Sequence, residues 1–115
     1  MTEAWQPDAG DLIWTELISS NGRERKGDRP ALVVSAKAFT ANTGLAVVCP
    51  IVPSGRGFPT SVMLPTGLPV SGEILVSHIR GIDVRARPVT YAGASVAPAV
   101  ADEVRAKLAA LLLIS

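Results

Sequence analysis

The chain has 115 residues, 48% apolar and 18% charged, with a formal net charge of +1 at neutral pH. That length holds one compact domain, so residues 1–115 are read as a single unit, too apolar to be disordered and too interrupted for a membrane span. Its start carries neither the basic residues nor the apolar run of an export signal, and a cytoplasmic protein is the expectation.

In chain order, Asp11 to Leu17 alternates like a half-buried strand and gives way to a polar stretch, Ser19 to Asp28, that contains Asn21-Gly22 and reads as a long loop. Pro30, tolerated at a strand's first position, introduces the apolar β-rich run Ala31 to Ser35. Asn42-Thr43-Gly44 turns the chain into a third strand, Leu45 to Val52. Pro53 to Gly57 is then a second loop with much backbone freedom. Further strands are predicted over Thr60 to Leu64, Glu73 to Ile82 and Val84 to Tyr91. Short strands and frequent turns predict a mainly β barrel or sandwich. The C-terminal part differs in kind. Pro98 fits a first helical position, and Val100, Val104, Leu108 and Leu111 recur at three- and four-residue spacing, which predicts an amphipathic helix packed on the sheet.

The one cysteine, Cys49, excludes an internal disulfide and lies in the apolar third strand, where burial as a small hydrophobe is expected. With one His, one Cys and no carboxylate cluster, no metal-ligand set is recognisable and no cofactor is expected. The charge is unevenly spread. Residues 1–20 hold four acids and no base, whereas residues 21–97 hold nine Lys or Arg against four acids, a local excess of +5. Such a basic middle suits a polyanionic partner if the fold gathers it on one face.

Two segments in order, Gly10-Asp11-Leu12-Ile13-Trp14 and then, after a polar loop, Gly27-Asp28-Arg29-Pro30-Ala31-Leu32-Val33-Val34-Ser35, resemble the successive motifs of MazF/PemK toxins. The similarity runs from Pro7 to the terminal helix. It implies an SH3-like barrel of the CcdB/MazF/Kid toxin type, a homodimer, and metal-independent cleavage of single-stranded RNA. In that reaction a ribose 2′-hydroxyl attacks the adjacent phosphate, leaving 2′,3′-cyclic phosphate and 5′-hydroxyl ends. It further implies a MazE-like antitoxin whose acidic tail competes with RNA for the same basic surface.

By family position, Arg29 is the first catalytic candidate. A guanidinium stays charged and offers two parallel donors, which suits a pentacoordinate phosphate. Glu24 matches the family's candidate base. Where many relatives carry a threonine hydroxyl at the end of the third strand, this chain has Val52, and Ser54 is the candidate substitute. Arg25, Lys26, Arg56, His78, Arg80, Arg85 and Arg87 are read as RNA-contacting side chains, with alternation along a strand putting Arg85 and Arg87 on one face. Trp14 and Tyr91 could stack on bases, although packing roles are favoured for both. Two alternatives remain at this point: a catalytically weak RNA-binding relative, to which Val52 points, and a gyrase-directed poison of the CcdB kind, against which the Arg29-Pro30 segment argues.

Overall fold

The computed structural model describes residues 5–17, 28–53 and 57–114. Seven strands form one antiparallel sheet: β1 (Asp11–Thr15), β2 (Arg29–Val33), β3 (Leu45–Val52), β4 (Ser61–Met63), β5 (Glu73–Leu75), β6 (Arg80–Asp83) and β7 (Val89–Ser95). The described residues also form two α-helices, α1 (Lys37–Thr43) and α2 (Pro98–Leu112). The strand order is β4-β5-β3-β2-β1-β7, and β6 also pairs with β3. The long β3 therefore has β2 on one edge and, on the other, β6 beside its first half and β5 beside its second.

β1, β2 and β3 are buried on both faces, which is why they read as nearly unbroken apolar runs. On one face Leu12, Leu32, Cys49 and Ile51 pack with Val62 of β4, Ile74 of β5 and Val104 of α2. On the other, Ile13, Ala31, Val33, Ala46, Val48 and Ile82 form a second cluster. Contributions from β4 and β5 to the first cluster wrap the sheet around it, giving the expected mainly β architecture with a C-terminal helix. No helix among the described residues is long and apolar enough to cross a membrane.

Three expectations change. The segment read as a bare turn before the third strand is helix α1, closed by Gly44 in the left-handed conformation at φ 77°, with its N–H donating to the Thr40 carbonyl at 2.8 Å. Seven residues are too few to show helical periodicity, but the Asn-Thr-Gly signal that suggested a turn is also a helix stop. The strand expected over Glu73 to Ile82 is interrupted by a 3-10 turn, Val76–His78. Residues 84–87, expected to begin the next strand, instead form a turn that Asp83 caps by accepting the N–H groups of Arg85 and Ala86 at 2.9 and 3.2 Å.

Helix α2 starts at Pro98 as predicted, and Val104 is buried while Val100, Ala101 and Leu108 pack partly against the core. Lys107 ties it to β4 by donating to the Ser61 carbonyl at 2.6 Å. Its apolar end is not covered: Leu111, Leu112 and Ile114 are exposed, and Leu113, at φ 57°, is 93% exposed.

Cys49 lies in the core with no exposed surface, and burial pushes its thiol up to about 12. It should stay protonated and unreactive in the native fold. A disulfide thiol reagent at pH 8 is expected to label Cys49 only after denaturant is added. Rapid labelling of native protein would contradict the burial.

Candidate active site

The site candidates are positioned by strand register. Pro30 restricts the preceding residue to extended backbone, so Arg29 enters β2 already straight. Arg29 pairs with Thr15 of β1, and Thr15 pairs with Val89 of β7. On the other side of β2, Ala31 pairs with Pro50 of β3; carrying that register two residues further brings Arg29 level with Val52. Val52 pairs with Glu73 of β5, and Glu73 with Met63 of β4. Because cross-strand partners project to one face, Val89, Thr15, Arg29, Val52, Glu73 and Met63 form a single row across the sheet. In that row Thr15 is fully buried, its hydroxyl donating to the Pro88 carbonyl at 3.0 Å, whereas Arg29 is exposed.

A second guanidinium reaches the same end of β1. Arg87 donates through Nη1 to the carbonyl of Glu16, the residue after Thr15, at 2.7 Å. Arg85 lies against Gly44, where an added Cβ would come within 2.8 Å of its guanidinium carbon. Arg85 and Arg87 line, with Trp5, Thr40 and Val89, a cavity of about 250 Å³. Their common placement comes from the 84–87 turn, not from the strand alternation that the sequence suggested.

Arg80 and His78 sit elsewhere. Arg80, half-buried on β6, pairs with Val48, four residues along β3 from Val52. His78 is exposed on the 3-10 turn, its Nδ1 3.4 Å from the Ser77 hydroxyl. The structure thus brings Arg87 to the end of β1 where Arg29 pairs, sets Arg85 against Gly44 at the start of β3, and leaves His78 and Arg80 on the other flank of β3. Glu24, Arg25, Lys26, Ser54 and Arg56 lie outside the described residues. No group of three or more His, Cys, Asp or Glu side chains suited to a metal ion occurs among the described residues.

The two aromatic candidates have partners. Trp14 packs against the first core cluster. Tyr91 stacks on Trp5 with centroids 5.3 Å apart, and its hydroxyl is 3.2 Å from that of Ser95, which donates to Asp11 at 2.7 Å.

Sequence reasoning missed Glu73, which has no exposed surface although it carries a carboxylate. Its Oε2 accepts the N–H of Gly57 at 2.9 Å, and its Oε1 is buried with no hydrogen-bond partner among the described residues. The signal was an acid directly after Gly72 at the head of an apolar run. Gly72 itself, at φ 129°, passes so close beneath β3 that an added Cβ would collide with the Val52 carbonyl oxygen.

Comparison with known proteins gives a consistent result. Residues 8–112 match the family described as PemK-like, MazF-like toxin of type II toxin-antitoxin system. The chain is 34% identical over 112 residues to "Endoribonuclease toxin MazF" of Escherichia coli K12, covering 97% of this chain and 99% of that protein. It is 32% identical over 83 residues to "Endoribonuclease PemK" of Escherichia coli, covering 68% of this chain and 62% of the relative. Among solved structures, a MazE-MazF complex from Deinococcus radiodurans superimposes with a TM-score of 0.85 at 39% identity, covering 97% of this chain and all of that one. MazF from the same organism superimposes with a TM-score of 0.85 at 41% identity, covering 95% and 98%.

The close approach at Gly72 makes a direct prediction. Gly72→Ala should lower unfolding stability by about 2 kcal/mol or more, because both the positive φ and the contact with the Val52 carbonyl oppose a side chain. Urea unfolding of the two proteins measures this, and equal midpoints with equal slopes would contradict it.

Proposed function

Because the chain belongs to the PemK-like, MazF-like toxin family of type II toxin-antitoxin systems, we propose that it is a toxin acting as a metal-independent endoribonuclease on single-stranded messenger RNA. The observation that carries this reading is the placement of Arg29: an exposed guanidinium held straight by Pro30, level with Val52 and beside the end of β1 where Arg87 is anchored.

The chemistry follows from those positions. The ribose 2′-oxygen gives up its proton and attacks the neighbouring phosphorus, the bond to the 5′-oxygen breaks, and that oxygen leaves with the electron pair and takes up a proton from water, so the chain parts into a cyclic phosphate and a hydroxyl. Arg29 directs two N–H groups at the non-bridging oxygens, where negative charge grows in the pentacoordinate state. A guanidinium's very high pKa suits it to this electrostatic work better than to giving up a proton. Glu24 is the proposed base for the 2′-hydroxyl. Ser54 supplies the phosphate-facing hydroxyl that Val52 cannot. Arg85 and Arg87, flanking the cavity, and Arg25, Lys26, Arg56, His78 and Arg80 contact the RNA backbone and bases.

The proposed assembly is a homodimer neutralised by a MazE-like antitoxin. Support for the dimer comes from the uncovered leucines at the end of α2 together with exposed Met63 on β4, the strand to which Lys107 ties that helix. Isolated apolar residues are common on surfaces, but a run of four, Leu111 to Ile114, that includes a 93%-exposed leucine favours a partner. Support for the antitoxin comes from the basic middle of the chain, which an acidic tail would occupy in place of RNA.

The decisive experiment is cleavage of a long single-stranded RNA in excess EDTA, with product ends mapped. Wild type should cut at a recurring short sequence and leave cyclic-phosphate ends, while Arg29→Ala should be slower by about 100-fold or more. Binding without cleavage by wild type would return the chain to the RNA-binding reading. Ser54→Ala separates the hydroxyl's part: a rate loss of about tenfold is expected, and an unchanged rate would remove Ser54 from the site.

A further inference from the structure

Thr15 is a hydroxyl in a place that shape alone would give to valine. It ends β1 and has no exposed surface, and strand alternation sets it on the face where Ile13, Ala31 and Val33 form an apolar cluster. Valine has the same outline and is equally at home in strands, and a neutral hydrogen bond formed inside a protein gains little over one to water. The hydroxyl is explained instead by what it holds. It donates to the Pro88 carbonyl at 3.0 Å, across 73 residues of sequence.

That bond is one half of a reciprocal clamp. Thr15 reaches with its side chain to the backbone of Pro88, and Arg87 reaches with Nη1 to the backbone carbonyl of Glu16 at 2.7 Å. Two consecutive residues of the β1 end thus grip two consecutive residues at the end of the 84–87 turn. The beginning of the turn is held separately, by the Asp83 carboxylate at the N–H groups of Arg85 and Ala86. Pro88 restricts Arg87 to extended backbone, so fixing Pro88 also fixes the direction in which the Arg87 side chain leaves the chain. A guanidinium carries several N–H donors, and one bond to Glu16 leaves others for a phosphate. Thr15 is also the cross-strand partner of both Arg29 and Val89. It therefore stands between the strand that carries Arg29 and the strand into which Arg87 leads.

We infer that Thr15 is a positioning residue for RNA binding: its hydroxyl, acting through Pro88, holds Arg87 at the end of β1 where Arg29 pairs, so that both arginines meet the same RNA strand. The inference rests on the ribonuclease reading, in which Arg87 contacts RNA, and adds a residue to it. Thr15 itself is buried and touches no RNA.

Thr15→Val and Thr15→Ser, each alone and combined with Arg87→Ala, test this. The probe is a single-stranded RNA whose mapped cleavage site carries a 2′-deoxyribose, so that it is bound without being cut, and fluorescence anisotropy at several salt concentrations gives Kd. Thr15→Val should raise Kd about fivefold. It should also flatten the slope of log Kd against log salt by about 0.7, the share of one phosphate contact, as Arg87→Ala also does. In the Arg87→Ala background the same substitution should change Kd by less than about 1.5-fold, because the two residues act as one unit. Thr15→Ser keeps the hydroxyl and should bind within about twofold of wild type. The inference is overturned if Thr15→Val binds as wild type, if its loss is undiminished beside Arg87→Ala, if Thr15→Ser is as weak as Thr15→Val, or if Thr15→Val fails to fold. Those outcomes mark the hydroxyl as idle, as acting elsewhere or as structural. A wild-type protein that cuts no RNA would overturn the ribonuclease reading and this inference with it, whereas an active wild type beside an unimpaired Thr15→Val would overturn this inference alone.

Discussion

The register of β2 between β1 and β3 is the constraint on which the site depends. β2 is five residues long and buried on both faces, so its side chains alternate between two apolar clusters with no neutral setting. A slip by one residue would exchange Leu32 with its neighbours Ala31 and Val33 and turn Arg29 to the opposite face. The cost of misplacing the apolar residues is what fixes the arginine. Arg29 lies at the open end of the strand, where the same alternation that buries Ala31 and Val33 carries it past the edge of the core and into solvent. Pro30 contributes twice, by keeping Arg29 extended and by forgoing an N–H where the ladder begins.

Around that row, the basic side chains are held by different means, and the means suit different tasks. Arg87 spends one donor on a backbone carbonyl, which orders the guanidinium. Arg85 is packed flat over Gly44, where the missing Cβ admits it. Arg29 itself is exposed, in the same row as Val52. A polyanionic strand approaching this surface meets charges that are already oriented, so little ordering entropy remains to oppose the contact. The described ion pairs, Arg105 with Asp102 and Lys107 with Glu103, both lie within α2 and draw nothing from the basic middle of the chain.

Much of this was legible in the sequence, and the limits are physical. The first three strands could be read from their apolar β-rich runs and the final helix because burial on one side imposes a period on it, and the Gly-Asp-Leu-Ile-Trp and Arg-Pro segments carried the family resemblance. Helix α1 was hidden because seven residues make fewer than two full turns of pattern. The break at Val76–His78 was hidden because its residues are as compatible with a strand as with a 3-10 turn, and the choice is made by β3, which needs β5 and β6 at different heights on one edge. Arg85 and Arg87 were placed on a common side for the wrong reason: alternation requires a strand, and the Asp83 side chain caps a turn there instead. Glu73 could not be found by pattern at all, since strand alternation makes no provision for a buried acid.

Two departures in the row meet at adjacent positions. Val52 is apolar where the resemblance leads one to expect a hydroxyl, and its cross-strand partner Glu73 carries a carboxyl group at a position with no exposed surface. Taken singly, the first looks like a loss of function and the second like a defect in the core. Taken together they move polarity from one strand to its neighbour. What the two positions share is backbone contact: the Val52 carbonyl lies against Gly72, where no side chain could fit, and the Glu73 carboxyl accepts the Gly57 N–H at 2.9 Å, so each is tied to main chain of a neighbouring segment.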